Sequence, residues 1–209
     1  RQAKRMQRGV LTAQGGFSTT DPALRQVPCT IQCVCEITHD NRGVESIFIM
    51  SPNIDGLRLT YQGSKLVIFV SNKSHVHDVV IGQIYNVVFS LGTDETTAYI
   101  NGIPVLTSST PIDTISVYNV GNIGSSYFTS NYLLHRHFKY AMSADEVKAL
   151  YNNNPMGYVV PKAKRGGLLA EFLPQNLMYG RDDKTVATSW LDSAKQLPLS
   201  DEYMEPLFQ

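Results

Sequence analysis

The stretch that decides the fold covers residues 85–153. It opens with YNVVFSL at residues 85–91, turns at GTDE (residues 92–95), and continues with TTAYI at residues 96–100 into the Asn101-Gly102 pair. Alternating apolar residues on both sides of an Asn-Gly pair are a strong short-range signal for a β-hairpin. The sequence therefore predicts antiparallel strands here, and the other segments either pair with these strands or extend from them.

The same stretch ends with the pattern of a short amphipathic helix over residues 143–153. Ser143 is a favourable N-cap, and Glu146, three residues later, completes a capping box. Val147 and Leu150 then share one apolar face, because residues three apart are neighbours on a helix surface. The sequence predicts one helix at the point where the strands end.

Upstream of this stretch, short strands and turn residues follow one another at roughly the 8–12-residue spacing of an all-β sandwich. Residues 30–38 alternate in the manner of a half-buried strand, with Cys33 and Cys35 on the same face. Further strands are predicted at residues 46–50, 57–61, 65–70 and 75–80. We expect an all-β fold, an antiparallel two-sheet sandwich with one short helix near its end.

The three cysteines, Cys29, Cys33 and Cys35, lie close together in sequence. Along an extended strand none of these spacings brings two sulfur atoms within bonding distance. The sequence predicts free thiols that pack as small hydrophobic groups rather than a disulfide or a metal site. Free thiols are typical of proteins assembled in a reducing cytoplasm.

Composition argues against two classes of partner. The formal net charge is +0 and charged residues make up 17% of the chain, so no basic field favours nucleic acid. No apolar run approaches the roughly 20 residues that a membrane-spanning helix needs. We expect neither a nucleic acid nor a membrane as a partner.

Carboxylates are not arranged for catalysis in the sequence. A glycosidase needs two carboxyl groups that face each other across a sugar, and residues two apart on a strand would supply them. Glu36 has no such neighbour, while residues 94–95 and 145–146 are adjacent acidic pairs in a turn and at a helix start. Nucleophile elbows, phosphate-binding loops and dinucleotide fingerprints are missing too. We predict no enzyme, no catalytic residue and no cofactor.

Two histidine pairs have the alternation that places two imidazoles on one strand face. If their strands were neighbours, four rings would surround a zinc ion, which makes weak metal candidates of His75, His77, His135 and His137. The alternative is that both pairs lie on polar faces. Leu134 and Phe138 alternate with the second pair and are predicted to face the core. The sequence favours this alternative, and no metal ligand is assigned.

Several segments resemble a known family. Residues 85–89 (YNVVF) and 98–102 (AYING) resemble the W-x-x-V … L-Y-V-N-G hairpin of laminin-G-like, concanavalin A-like jelly-roll domains. Residues 137–151 (HFKYAMSADEVKALY) are similar to that family's ending, an aromatic strand followed by A-L-S-x-x-E-I-x-x-L-Y. The resemblance spans about residues 30–153 and implies a jelly roll with a lectin-like face.

Sugar-binding members of such folds stack rings on Tyr or Trp and bind hydroxyl groups with Asn and Asp from rim loops. The resemblance therefore implies ligand-binding candidates in the loops, namely Asn53, Asp55, Asp94, Asn122, Ser125, Tyr127 and Asn131. The alternative is that these Asn, Asp and Ser residues only form turns and that Tyr127 only packs. No pair of rim Asp residues lines up with the family's calcium site, so no metal is implied.

The C-terminal part resembles a second group of proteins. Residues 167–176 (GLLAEFLPQN) and 190–193 (WLDS) are similar to the ending of head-fibre, tail or decoration proteins of crAss-like tailed phages. This implies a virion protein assembled in the host cytoplasm, with capsid or tail subunits as partners, in a homo-oligomer. A host-surface glycan is the implied ligand. The alternatives are a purely structural decoration or connector, and a cellular or secreted carbohydrate-binding module.

The predicted organisation has three parts. Residues 1–27 form an N-terminal arm with the first strand, residues 28–155 form the jelly-roll domain, and residues 156–209 form an extension. Because an extension of this size buries little apolar surface by itself, it is expected to dock on its own chain or on a neighbouring one.

Overall fold

The computed structural model describes residues 17–18, 22–50, 56–112, 115, 117–123, 126–153, 167–179, 187–192 and 197–198. Within these residues the chain forms a 3₁₀ helix (Pro22–Arg25), an α-helix, α1 (Ala144–Asn153), and strands numbered in chain order. The strands are β1 (Phe17–Ser18), β2 (Cys29–Glu36), β3 (Val44–Ile49), β4 (Leu57–Gln62), β5 (Lys65–Val70), β6 (Lys73–Asp78), β7 (Ile84–Leu91), β8 (Thr96–Ile100), β9 (Ile103–Ser108), β10 (Asn119–Val120), β11 (Asn122–Ile123), β12 (Ser126–Tyr127), β13 (Asn131–Phe138), β14 (Leu168–Tyr179), β15 (Ala187–Asp192) and β16 (Leu197–Pro198).

The strands form two antiparallel sheets and a small hairpin. One sheet has the order β1-β10-β3-β4-β5-β6, the other has the order β16-β15-β14-β13-β2-β7-β8-β9, and β11 pairs with β12. The sheets pack face to face, with the ring of Phe48 (β3) 6.5 Å from that of Phe89 (β7). The predicted all-β, two-sheet antiparallel sandwich with one short helix is confirmed.

The core between the sheets follows from the alternation of side chains along each strand. Ile31, Cys33 and Cys35 of β2 point inward and are fully buried, and Leu59 and Tyr61 of β4 face them from the other sheet. All three cysteines are free and buried, as predicted. Burial raises the pKa of the Cys33 thiol to about 12, so the thiol stays protonated at neutral pH.

The eight-stranded sheet is also covered on its outer face. Helix α1 presents Val147 and Leu150 to Val88, Tyr99 and Phe138 on that face. The capping box at its start is formed as predicted, since the Glu146 backbone N–H donates to Ser143 Oγ (3.2 Å) and the Ser143 N–H donates to the Glu146 carboxylate (3.3 Å).

Because both faces of the sheet are buried at β13, the predicted orientation of this strand is wrong. His135 and His137 are fully buried and point between the two sheets, where His135 contacts Phe48 at 5.2 Å between ring centroids. Leu134 and Phe138, predicted to face this core, pack instead on the outer face. A polar residue on a strand marks an exposed face only where one face of the sheet meets water.

The C-terminal segment continues the eight-stranded sheet. β14 pairs with β13 from His137↔Ala170 to His135↔Phe172, β15 pairs with β14, and β16 pairs with β15. The described part of the chain contains no helix that is long and apolar enough to span a membrane.

Candidate functional site

The sandwich has two ends, each made of loops from both sheets. We call one the Glu36 rim: it is formed by the β2–β3 connection (residues 37–43), the β4–β5 turn (residues 63–64) and residues 128–131. The opposite end, the Leu91 rim, carries the β7–β8 turn (residues 92–95). The register of β2 with β7, from Glu36↔Ile84 to Cys29↔Leu91, sets the two ends apart by the full length of the strands.

The predicted ligand-binding residues do not converge on one site. Asn131 begins β13 at the Glu36 rim, directly opposite Glu36, whereas Asp94 lies in the turn of the Leu91 rim. Asn122 and Tyr127 are backbone partners in the β11–β12 hairpin, beside β3. The remaining candidates, Asn53, Asp55 and Ser125, lie outside the described residues.

A cluster of polar side chains holds the Glu36 rim together, and its centre is the Glu45 carboxylate. The side-chain hydroxyl of Thr129 donates to Glu45 Oε1, and His39 Nε2 lies 3.1 Å from the same oxygen. The Thr129 backbone N–H is 3.5 Å from Oε2. Glu45 is 8% exposed, so these bonds act in a poorly solvated environment where they are stronger than in water.

The other nitrogen of His39 continues the chain of hydrogen bonds. Nδ1 lies 3.3 Å from Ser130 Oγ, and Ser130 Oγ accepts the hydroxyl (3.3 Å) and the backbone N–H (3.1 Å) of Thr38. These hydrogen bonds are consistent with one direction of donation, in which Thr38 donates to Ser130, Ser130 to His39, and His39 to Glu45. We call Thr38, His39, Glu45, Thr129 and Ser130 the rim cluster.

His39 of the rim cluster reaches solvent, with 40% of its side chain exposed. Its backbone carbonyl accepts the Tyr61 hydroxyl at 2.7 Å, and the two rings meet edge to face at 6.4 Å. Asn41 fixes the loop beyond by accepting the Gly43 N–H (2.7 Å) and donating to the Tyr61 carbonyl (3.3 Å). The imidazole is therefore held in one orientation before any ligand arrives.

A second carboxylate lies at the same rim. Glu36 is 9% exposed and accepts a hydrogen bond from the Asn131 amide nitrogen at 3.1 Å. The Asn131 side chain is half-buried. Asn131 therefore adds a positioned amide to the imidazole and hydroxyl groups of the rim cluster.

The rim cluster has the residue types and the hydrogen-bond order of a Ser-His-Glu triad, but its serine is buried. Ser130 is 1% exposed, and its Oγ receives two hydrogen bonds from Thr38. A nucleophile needs an accessible oxygen that a substrate carbonyl can approach. The arrangement is suited to holding loops and offering polar groups, and not to nucleophilic attack.

The histidines of β13 belong to a buried structural cluster. Tyr118 Oη lies 2.6 Å from His135 Nε2 and 3.2 Å from His137 Nδ1, and Tyr132 Oη lies 3.0 Å from His135 Nδ1. Burial, and to a lesser extent the neighbouring His137, lowers the pKa of His135 to about 3. His135 is neutral at physiological pH, and its hydrogen bonds join β13 to Tyr118, the residue before β10.

The four histidines considered as zinc ligands are not brought together. His75 and His77 lie on β6 at the margin of the six-stranded sheet, while His135 and His137 lie on β13 inside the other sheet. Among the described residues, no three His, Cys, Asp or Glu side chains converge to hold a metal ion.

The candidates from the sequence include Asn131, which lies at this rim, but no member of the rim cluster. Residues 39–43 read as a turn and Glu45 precedes the predicted strand at residues 46–50. The two halves of the cluster are far apart in sequence, since Thr129 and Glu45 are separated by 84 residues and Ser130 and His39 by 91. No local sequence pattern links the two halves of the cluster. Polar residues next to the strand boundaries are the one sequence feature that points to them.

The sequence matches no protein-family model and no curated protein. Its fold is similar to that of a "putative carbohydrate binding protein" from Bacteroides ovatus, with a TM-score of 0.65 and 13% identity over 92% of this chain and 57% of that one. It is also similar to domain 4 of AbnA, an extracellular arabinanase from Geobacillus stearothermophilus solved with arabinotriose, with a TM-score of 0.52 and 16% identity over 68% of this chain and 74% of that domain.

A third similarity is to the Trypanosoma rangeli sialidase in complex with 2,3-difluorosialic acid, with a TM-score of 0.54 and 14% identity over 73% of this chain and 28% of that one. The chain thus spans 57% of the length of the Bacteroides protein and a smaller part of the sialidase. At these identities the similarities show a shared lectin-like β-sandwich fold.

Proposed function

We propose that this chain is a non-enzymatic glycan-binding module and that its ligand site is the Glu36 rim. The observation that carries the proposal is the rim cluster, in which a half-exposed imidazole is fixed by hydrogen bonds to Glu45 of β3 and to two side chains of the β12–β13 connection. Binding sites gain affinity when their polar groups are already ordered, because less entropy is lost on association.

The chemistry of this rim suits a sugar. Vicinal hydroxyl groups require donors and acceptors placed side by side. One end of the sandwich carries the His39 imidazole, the Thr129 hydroxyl and the Asn131 amide, and a bound sugar would share or replace some of the hydrogen bonds that hold them. The half-exposed ring of His39 adds an aromatic surface to these groups, and the buried ring of Tyr61 packs edge to face against it. Binding sites of this kind combine a few placed polar groups with ring surfaces.

Hydrolysis of the bound sugar is not part of the proposal. Both carboxylates at the rim, Glu36 and Glu45, are more than nine-tenths buried and are engaged by Asn131, His39 and Thr129. A glycosidase requires two carboxyl groups that face the scissile bond, one of them free to protonate the leaving oxygen. These two act as anchors for the loops.

Paired variants at the two ends test the proposal. A glycan array with the full chain identifies the tightest sugar, and titration calorimetry then compares His39→Ala with Asp94→Ala. We expect His39→Ala to weaken binding by about three- to tenfold, the worth of one or two lost hydrogen bonds, and Asp94→Ala to leave it unchanged.

Two results would contradict the proposal. One is the absence of saturable binding to any glycan at millimolar concentration, which would support a purely structural role. The other is a loss of affinity in Asp94→Ala with wild-type affinity in His39→Ala, which would move the site to the Leu91 rim. Release of reducing sugar from the bound glycan would instead indicate an enzyme.

We further propose that the module is carried on a tailed-phage virion, as a head-fibre, tail or decoration subunit. The support is the sequence resemblance of residues 167–176 and 190–193 to virion proteins. We expect the chain to be found by mass spectrometry in particles purified from the host by density gradient. Recovery solely in the particle-free extract would favour a cellular or secreted carbohydrate-binding module.

A further inference from the structure

A histidine pair on β6 is not used by the rim cluster or by the buried cluster around Tyr118. His75 and His77 are both half-buried and are separated by one residue, so their side chains leave the strand on the same face. Their ring centroids are 6.0 Å apart. They face the inner side of the sheet, because His75 is the register partner of Ile68 and His77 that of Leu66.

One nitrogen of this pair lacks a partner. Nε2 of His75 is shielded from solvent and makes no hydrogen bond in the part of the chain that the structure describes. A buried acceptor or donor left unpaired costs free energy, and a bound ion would offset that cost. Asp78, the charged neighbour on the same strand, is paired with Lys65.

We propose that His75 and His77 together bind one divalent transition-metal ion of the zinc, copper or nickel type, with solvent completing its coordination. Imidazole nitrogens are preferred ligands of these ions. With metal–nitrogen distances near 2 Å, two rings on a tetrahedral ion have centroids about 5 Å apart, so the pair has to close by about 1 Å. Small rotations about the χ angles of two half-buried side chains supply this movement.

The surroundings of His77 keep it available as a ligand. The ring of Tyr85 packs edge to face against His77 at 5.9 Å, and the Tyr85 hydroxyl is occupied by the Val80 backbone N–H at 2.7 Å. Tyr85 therefore orients His77 without competing for its nitrogens.

Titration calorimetry of the full chain with ZnCl₂ at neutral pH tests the proposal. We expect one ion per chain. Removing a residue that only orients a metal ligand lowers metal affinity about 10–100-fold. Removing a direct ligand, in His75→Ala or His77→Ala, should therefore lower the zinc affinity at least about tenfold. Ser74→Ala, an exposed position on the opposite face of β6, should leave the affinity unchanged.

A second readout is the melting temperature, which Zn²⁺ should raise in the wild type and in Ser74→Ala but not in the histidine variants. Should an alanine variant melt lower than the wild type in EDTA, His75→Gln or His77→Gln replaces it. Wild-type zinc affinity in both histidine variants would overturn the proposal. So would a loss of zinc binding in His39→Ala alone, since that would place the ion at the Glu36 rim.

Discussion

His135 is a titratable residue that is completely shielded from water. It lies fully buried between the sheets, with Tyr118 at one ring nitrogen and Tyr132 at the other. Its pKa is lowered to about 3 from an ordinary value of 6.5, chiefly by burial. The folded chain therefore holds a neutral imidazole that the unfolded chain would protonate in mild acid.

This difference makes the stability of the fold depend on pH. Folding disfavours the protonated form, so the contribution is fully present above pH 6.5 and is lost as the pH falls towards 3. Each pH unit below 6.5 costs about 1.4 kcal/mol, so we expect the free energy of unfolding to fall by about 2–3 kcal/mol between pH 6.5 and about 4.5. Urea unfolding at a series of pH values measures this.

The control is His135→Phe, which removes the titrating group while keeping a buried ring. The variant should be less stable at neutral pH, because Tyr118 and Tyr132 lose a partner. As the pH falls, its free energy of unfolding should decrease with a smaller slope than that of the wild type, by the amount that one bound proton contributes. Equal slopes for the variant and the wild type would show that His135 does not cause the acid sensitivity.

The same residue shows a limit of sequence reasoning. The alternation along β13 was predicted to turn Leu134 and Phe138 to the core and the histidines to a polar face. Both sets are buried, because helix α1 and neighbouring residues cover the outer face while the second sheet covers the inner one. Periodicity identifies the two faces of a strand, but it does not say which face meets the core when both are covered.

At the scale of elements, the turn between β8 and β9 shows how local signals and packing combine. The Asn101-Gly102 pair was predicted to form a hairpin turn, and both residues have positive φ, 51° and 80°. The structure adds a contact that sequence did not indicate: a Cβ on Gly102 would lie 3.1–3.3 Å from the side chain of Tyr151 in α1. The turn is therefore also in close contact with helix α1.

Alanine substitutions separate these two roles of glycine. Gly82 also has positive φ (87°), but a Cβ there would meet nothing within 4 Å. Gly82→Ala should cost about 1–2 kcal/mol from the left-handed backbone. Gly102→Ala should cost about 1–3 kcal/mol more, because Tyr151 has to move. Chemical denaturation of both variants gives the comparison, and equal losses would mean that Tyr151 moves away without cost.

Elements with local signals were predicted well. The bounds of β5 (Lys65–Val70) and β8 (Thr96–Ile100) agree with the predicted ones, and α1 begins one residue after its predicted cap. The rim cluster was not predicted, because Glu45 and Thr129 meet only after the two sheets have packed. Contacts between loops that are distant in sequence depend on the whole topology, which strand patterns alone do not determine.

At the scale of the whole molecule, the sandwich decides which polar residues act together. It gathers Thr38, His39 and Glu45 with residues 128–131 at one end, and it places Asp94 at the other. The fold resembles those of a carbohydrate-binding protein, a sialidase and an arabinanase domain. Their sequences are at most 16% identical to this chain. The residues at the Glu36 rim, and not the similarity, therefore support glycan binding.

The most direct test of the glycan site is amide chemical-shift mapping by NMR on the full chain, with the tightest glycan from the array. Amides of residues 38–45 and 128–131 should shift saturably, while those of residues 92–96 at the opposite end should not. Shifts confined to residues 92–96, or no saturable shift with any glycan at millimolar concentration, would contradict a ligand site at the Glu36 rim.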